Sequence, residues 1–310
     1  MPSLPLDRFR TDLVALTGDP AARIGVAVSG GPDSLALLLL AHAALPGMIA
    51  AATVDHGLRR EAADEAAFVA GLCSVRGIPH ATLSVSVESA GEGIQAAARA
   101  ARYAALEDWR SREGLDFIAT AHHADDQAET LLMRASRSAG IGGLAGIRRR
   151  NGSVIRPLLD WRRAELAAIV ADAGITAIDD PSNRDDRFDR SRIRALLNQA
   201  DDLDAPGLAQ TAANLADAAE ALEWAAERLW SERATVTEKE VRLDPADLPP
   251  ELLHRLVRRA LAALGHQGRI DRVASLIARL SSGQPGTIGA ILARPGAIWV
   301  FSPAPPRRIS

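Results

Sequence analysis

Residues 24–44 read IGVAVSGGPDSLALLLLAHAA. The stretch opens as an apolar, strand-like run over 23–29 and continues as a helix-like one over 33–45, with SGGPDS at the joint. A strand, a glycine-rich turn and a helix N-terminus together make an anion site. The first N–H groups of a helix have no partner within it, and the helix dipole adds positive potential there. Gly30 and Gly31 let the backbone approach a phosphate, Pro32 suits the first helical turn, and Ser29 and Ser34 supply hydroxyls. A Walker loop would carry Gly-Lys-Ser/Thr, but the charged position here is Asp33. An acid beside a phosphate calls for a divalent cation between them, most simply Mg²⁺. A plain capped turn accounts for one glycine and one serine, not for the whole order.

Outward from this joint the chain alternates. Strand patterns at 48–54, 80–87, 117–121 and 154–158 are separated by helical patterns at 61–76, 93–113 and 125–138, and a helix at 162–173 follows. This spacing predicts an α/β fold, a doubly wound, mainly parallel, Rossmann-like sheet with ligands beyond the strand carboxyl ends where strand order reverses. A polar stretch at 178–194 leads into a helix, and DDLDAPG at 201–207 marks a boundary. The expected division is a catalytic domain at 1–204 and a small, mainly helical, basic domain at 205–310. The latter has helices at 208–232, 251–264 and 270–280 and a hairpin at 287–301.

Composition narrows the class. The 310 residues are 47% hydrophobic and 24% charged, as in an ordinary soluble protein. One cysteine, Cys73, excludes an internal disulfide framework or a cysteine-ligated metal cluster and fits a reducing, cytoplasmic setting. The N-terminus lacks a signal-type apolar core, and His42, Pro46 and Gly47 interrupt the only run that could imitate a membrane span. Net charge is −3, yet residues 251–310 hold nine arginines against Glu251 and Asp271. A basic tail on an acidic body suits a polyanionic partner or, as readily, a solvated arginine face. For RNA the phosphate contacts would be Arg255, Arg258, Arg259, Arg269 and Arg272.

Residues 120–137, TAHHADDQAETLLMRASR, end one strand and open a helix. Asp126 and Glu129 stand three apart on one helix face, where two acids can hold an ammonium group and assist its deprotonation. Asp125 suits the helix N-terminus. Of His122 and His123, one faces a nucleotide and the other is structural unless the strand has already ended. Asp55 and His56 end the second strand, near an adenosine or in a simple turn. Arg190 and Arg194 share a helix face and Arg192 does not; Arg99 and Arg102 either meet RNA or form a polar helix face. The tryptophans are too scattered for a stacking platform.

SGGPDS after an apolar strand resembles the PP-loop of the N-type ATP pyrophosphatases. With VDHGLR at 54–59, ARAARY at 98–103, the 120–137 segment and DDPSNRDDRFDRSRIR at 179–194, the chain resembles the tRNA(Ile)-lysidine synthetases over about residues 20–200. The resemblance implies that ATP adenylates C2 of the wobble cytidine in a tRNA(Ile) with a CAU anticodon. L-lysine then displaces AMP. It also implies ATP contacts at Ser29, Gly30, Gly31, Pro32, Asp33, Ser34, Asp55, His56 and His122, and a metal at Asp33. Lysine falls to Asp126 and Glu129, and catalytic roles to Asp33, Asp126, Glu129 and Arg194, the last through its fit to the AMP leaving group. RNA contacts fall to Arg99, Arg102, Arg190, Arg192, Arg255, Arg258 and Arg259. A homodimer is compatible with the sequence. The rivals are another PP-loop tRNA-modifying enzyme, a small-molecule adenylating ligase and a nucleotide sensor without chemistry. A thiolase needing paired cysteines is excluded by Cys73 standing alone.

Overall fold

The computed structural model describes residues 5–55, 61–85, 94–178, 189–200, 203–266 and 272–304. His56, Arg269 and most of the polar stretch before Asp189 lie outside them.

Two compact units form, Met1–Ala216 and Asp217–Ser310. In the first, strands β1 (Ile24–Ala27), β2 (Ile49–Asp55), β3 (His80–Ser84), β4 (Phe117–Ala119), β5 (Arg150–Asn151) and β6 (Val154–Ile155) make one sheet of order β3-β2-β1-β4-β6-β5. All neighbours are parallel except β5 against β6. The intervening helices are α1 (Leu6–Thr17), α2 (Pro32–Ala44), α3 (Glu61–Val75), α4 (Ile94–Arg112), α5 (Ala124–Ala135), α6 (Ile141–Leu144), α7 (Arg163–Asp172) and α8 (Asp189–Gln199). The expected doubly wound sheet is therefore present.

Alternation along β1 sets the two faces. Ile24, Val26 and Val28 pack with α2 and with Val69, Cys73, Leu166 and Trp161. Ala27 turns to the opposite face with Ala50, Ala52, Leu106, Trp109 and Ile118. Helix α2 is buried nearly all round, which is why its sequence is apolar without a polar stripe. Gly25 is dictated by α4: a Cβ there would lie 2.5 Å from Cζ3 of the buried Trp109.

Strand order runs outward from β1 through β2 to β3, and the α4 crossover then returns the chain to the other side of β1 as β4. The reversal lies between β1 and β4. The loops leaving those two strands are SGGPDS and the His122–His123 segment, so sheet topology brings the two most informative motifs to one crevice.

Helix α9 (Ala205–Arg233) runs unbroken across the unit division, which falls after Ala216 and not at the start of the helix, where composition suggests it. Pro206 and Gly207 start that helix; they do not interrupt the chain. The second unit holds α10 (Pro250–Ala263) and α11 (Val273–Ser281) on a five-stranded antiparallel sheet of order β7-β8-β11-β10-β9. Its strands are β7 (Ala234–Val236), β8 (Val241–Leu243), β9 (Gly286–Ile288), β10 (Ile291–Arg294) and β11 (Trp299–Pro303). The expected hairpin is β10 with β11. The expectation of a mainly helical domain is corrected to helices packed on a sheet, because β8 pairs with β11 and β7 with β8 through strands too short to stand out in sequence.

Gly25→Val forces a branched side chain against Trp109 and should lower unfolding stability by about 1–3 kcal/mol in urea denaturation. An unchanged midpoint would mean that α4 does not rest on β1 as described.

Candidate active site

The glycine loop is braced from within. Ser34 Oγ donates to the Gly31 carbonyl at 2.9 Å and accepts from Ser29 N–H at 3.1 Å and Ser29 Oγ at 3.2 Å. Ser34 is buried and Ser29 exposed, so Ser34 shapes the loop while Ser29 faces outward. Gly30 takes φ +83°, and its carbonyl accepts from Ile178 N–H at 3.0 Å. Gly31 begins α2 without a side-chain cap, leaving the helix N-terminus open to an anion.

Asp33 stands on the first turn of α2. Its Oδ1 is buried without a hydrogen-bond partner, and its Oδ2 lies 3.4 Å from His123 Nε2. His123 is wholly buried. Its Nε2 is also 3.6 Å from Asp126 Oδ2, and its Nδ1 is 3.6 Å from Asp125 Oδ2. Neither ring nitrogen has an aligned hydrogen bond, so charge attraction holds the ring. Burial opposes ionisation, but Asp125, Asp33 and Asp126 outweigh it and raise His123 to about 9. The ring is thus a buried imidazolium linking the two motif loops.

Strand β4 ends at Ala119, so the two histidines are not bound to opposite sheet faces. His122 also senses Asp126, but burial, with Arg156, Arg190 and Arg99 nearby, pushes it down to about 4. It is neutral at pH 7, with Nδ1 hydrogen-bonded to Thr120 Oγ1 at 3.0 Å.

Both acids read as ammonium ligands are paired with arginines. Asp126 Oδ1 accepts from Arg190 Nη2 at 2.7 Å, and its Oδ2 accepts from the His123 backbone N–H at 3.1 Å. Glu129, 1% exposed, accepts from Arg190 Nε and Arg194 Nε at 2.7 Å each. Burial raises the Glu129 pKa, but the two guanidiniums more than offset this and hold it below the usual carboxylate range. Arg190 and Arg194 share one face of α8, and that face meets the acids of α5. Asp125 acts elsewhere. Its Oδ2 accepts from Arg163 N–H at 2.9 Å and Arg162 Nε at 3.3 Å, tying α5 to the start of α7. A cavity of about 250 Å³ beside this network is lined in part by Asp125, Glu129, Arg162, Arg163 and Arg194.

Other expected residues fall as follows. Asp55 ends β2, and Arg192 is exposed on α8. Arg99 stacks 5.0 Å over the Tyr103 ring, and Arg102 makes no ion pair among the described residues. In the second unit Arg255 pairs with Glu223 and Glu251, and Arg259 with Glu223 and Glu227. Both arginines are thus ion-paired: α9 brings acids spaced four apart against arginines spaced four apart on α10. Arg258 and Arg272 have no ion-pair partner among the described residues. Cys73 is buried and its thiol is pushed up to about 11, so it is a core group.

Against this geometry, comparison with known proteins is specific. The PP-loop domain family matches residues 6–200. A curated tRNA(Ile)-lysidine synthase from Novosphingobium aromaticivorans is 48% identical over 97% of this chain and 94% of its own. One from Zymomonas mobilis is 40% identical over 99% and 96%.

The chain belongs to the tRNA(Ile)-lysidine synthase family.

Among solved structures, a U34-tRNA thiolase from Methanococcus maripaludis superposes with TM-score 0.56 at 16% identity, over 68% of this chain and 78% of that one. This likeness speaks for the fold alone. The PP-loop domain match supports ATP binding by this chain. Among the described residues no helix is long and apolar enough to cross a membrane. Of the two histidines weighed from sequence, His123 is the one buried against Asp33. Folding adds Arg162 and Arg163, which sequence reasoning does not single out because they depend on α7 meeting α5.

Glu129 has a depressed folded pKa, so its contribution is present above its ordinary value of 4.5 and is lost as pH falls through its lower folded value. Wild-type stability should therefore fall more steeply below pH 4.5 than that of Glu129→Gln, which should also be about 1–3 kcal/mol less stable at pH 7. Equal acid slopes would show that the Arg190–Glu129–Arg194 cluster does not hold α8 to α5.

Proposed function

We propose that this chain ligates L-lysine to C2 of the wobble cytidine of a tRNA(Ile) bearing CAU, consuming ATP and releasing pyrophosphate and AMP. The carrying observation is the contact of Asp33 with His123, which joins the pyrophosphate-type loop to the acidic start of α5 in one crevice. Relatives of the same name spanning nearly the whole chain support the substrates.

In the first half-reaction the cytidine C2 oxygen attacks the ATP α-phosphorus and pyrophosphate leaves. The open N-terminus of α2 and the exposed Ser29 suit the pyrophosphate. The partnerless Asp33 Oδ1 fits Mg²⁺. Among the described residues no group of three metal-ligating side chains forms a protein cage, and Mg²⁺ is commonly held by one carboxylate together with phosphate oxygens. When bound, Mg²⁺ neutralises charge on the departing pyrophosphate.

In the second half-reaction the lysine ε-nitrogen, having lost a proton, attacks C2 and AMP leaves with the oxygen. The lysine ammonium is mostly protonated at neutral pH and needs an acid to hold it and assist that loss. Asp126 is the more accessible of the two candidates, and Arg190 now occupies its Oδ1. Glu129, nearly sealed, keeps Arg190 and Arg194 at the crevice. As the ammonium takes Asp126, the Arg190 Nη2 that it held becomes available to the AMP phosphate, beside Arg194.

Protein, ATP, Mg²⁺, labelled lysine and a CAU transcript should yield label on RNA. That label should vanish without ATP or when the wobble cytidine is changed. Asp33→Asn should abolish pyrophosphate release with little change in melting temperature. Pyrophosphate and AMP without labelled RNA would transfer the reading to another acceptor, and neither product would leave a nucleotide-binding protein without this chemistry.

A further inference from the structure

Arg156 is 5% exposed, although nothing in the ATP-binding reading uses it. It follows β6 directly, and the adjacent Thr120 N–H at the end of β4 donates to the Ile155 carbonyl at 3.0 Å. Arg156 therefore stands at the carboxyl edge of the sheet, beside the segment carrying His122. Its Nη1 donates to the Arg148 carbonyl at 2.7 Å. Its Nε is sealed in protein without a partner, and no carboxylate among the described residues pairs with it. Among the described residues one of its five donors is engaged, in a position where an uncompensated cation is costly.

The surroundings add positive charge. Arg99 and Arg156 both act on His122, which stays neutral between them, and Arg99 also acts on Arg102 and Arg134. Arg134 spends its Nη1 on the carbonyls of Gly143 and Gly146, and Arg102 has no ion pair among the described residues. Asp126 is the one described acid acting on His122, and Arg190 already holds it. Such a cluster suits an anion from outside.

Sheet order says which anion. The pyrophosphate-type loop leaves β1, and β6 lies beyond β4. Two strand spacings of about 4.8 Å put Arg156 about 10 Å to the side of that loop. The acids of α5 proposed to meet the amine follow β4, the neighbour of β6, so the acceptor side of the proposed reaction lies toward Arg156.

We propose that Arg156, with Arg99 and Arg102 of α4, forms a phosphodiester-binding site that holds the acceptor RNA backbone beside the nucleotide that reacts. This rests on the RNA-modifying reading above. The site positions the RNA through a contact with its backbone, so it should be indifferent to base identity while the reaction remains wobble-specific.

Equilibrium binding of the CAU transcript, across a salt series, and of α,β-methylene ATP with Mg²⁺ tests it on the full chain. Arg156→Met should weaken transcript binding roughly tenfold or more. The log–log salt slope should become shallower by about 0.7–0.9. Affinity for the ATP analogue should change less than twofold. Arg99→Gln and Arg102→Gln, at less buried positions, should show the same pattern in milder form, which keeps the test decisive if Arg156→Met melts early. Loss of ATP-analogue affinity with intact RNA binding would overturn the proposal and assign Arg156 to the nucleotide. Unchanged binding of both in all three variants would also overturn it. Failure of the underlying RNA reading is distinguishable, because the wild-type protein would then not bind the transcript at all.

Discussion

The reversal of strand order between β1 and β4 is the constraint on which this molecule depends. It opens a crevice at the carboxyl edge of the sheet and delivers SGGPDS and the His122–His123 segment to its two sides. Across that crevice the buried His123 ring lies between Asp33 on one side and Asp125 and Asp126 on the other. A buried cation is tolerable only because three carboxylates surround it, and those carboxylates are held near one another by the same cation. Moving either strand would separate charges that each need the other.

Around this link, charge is arranged in layers. Asp125 fastens α5 to α7 through Arg162 and the Arg163 N–H, while Asp126 and Glu129 draw α8 in through Arg190 and Arg194. Every acid of the α5 N-terminus therefore faces a cation before any substrate arrives. In the proposed mechanism a lysine ammonium would enter by exchange with the Arg190 guanidinium, which avoids uncovering a bare carboxylate in a buried place and would free that guanidinium for the anionic leaving group. The second unit follows the same rule on its own surface, where Glu223 and Glu227 take up Arg255 and Arg259.

Much of this is legible in the sequence because it is local. The apolar run before SGGPDS, Pro32 at the helix start and the three-residue spacing of Asp126 and Glu129 predict β1, α2 and one face of α5 without tertiary knowledge. The four-residue spacing of Arg190 and Arg194 likewise places them on one face. What is not legible depends on partners distant in sequence. Glu129 is joined to Arg194 by folding, and nothing near either residue announces it. The pairing of β8 with β11 is of this kind, as is the neutralisation of Arg255. A count of arginines reads charge but not the acids that another helix brings to it. Arg156 escapes sequence reasoning for a further reason: a single arginine after a short strand carries no pattern, and only its burial gives it meaning.

The central claim is that one crevice performs two successive steps, with Asp33 serving the nucleotide and Asp126 the amine. Its most direct test is to follow pyrophosphate release and lysine incorporation separately, in single-turnover reactions, for Asp126→Asn. The account predicts that pyrophosphate release stays close to wild type while lysine incorporation falls steeply and is partly restored by high lysine concentration. Equal loss of both, with unchanged response to lysine, would contradict the division of labour between the two sides of the crevice.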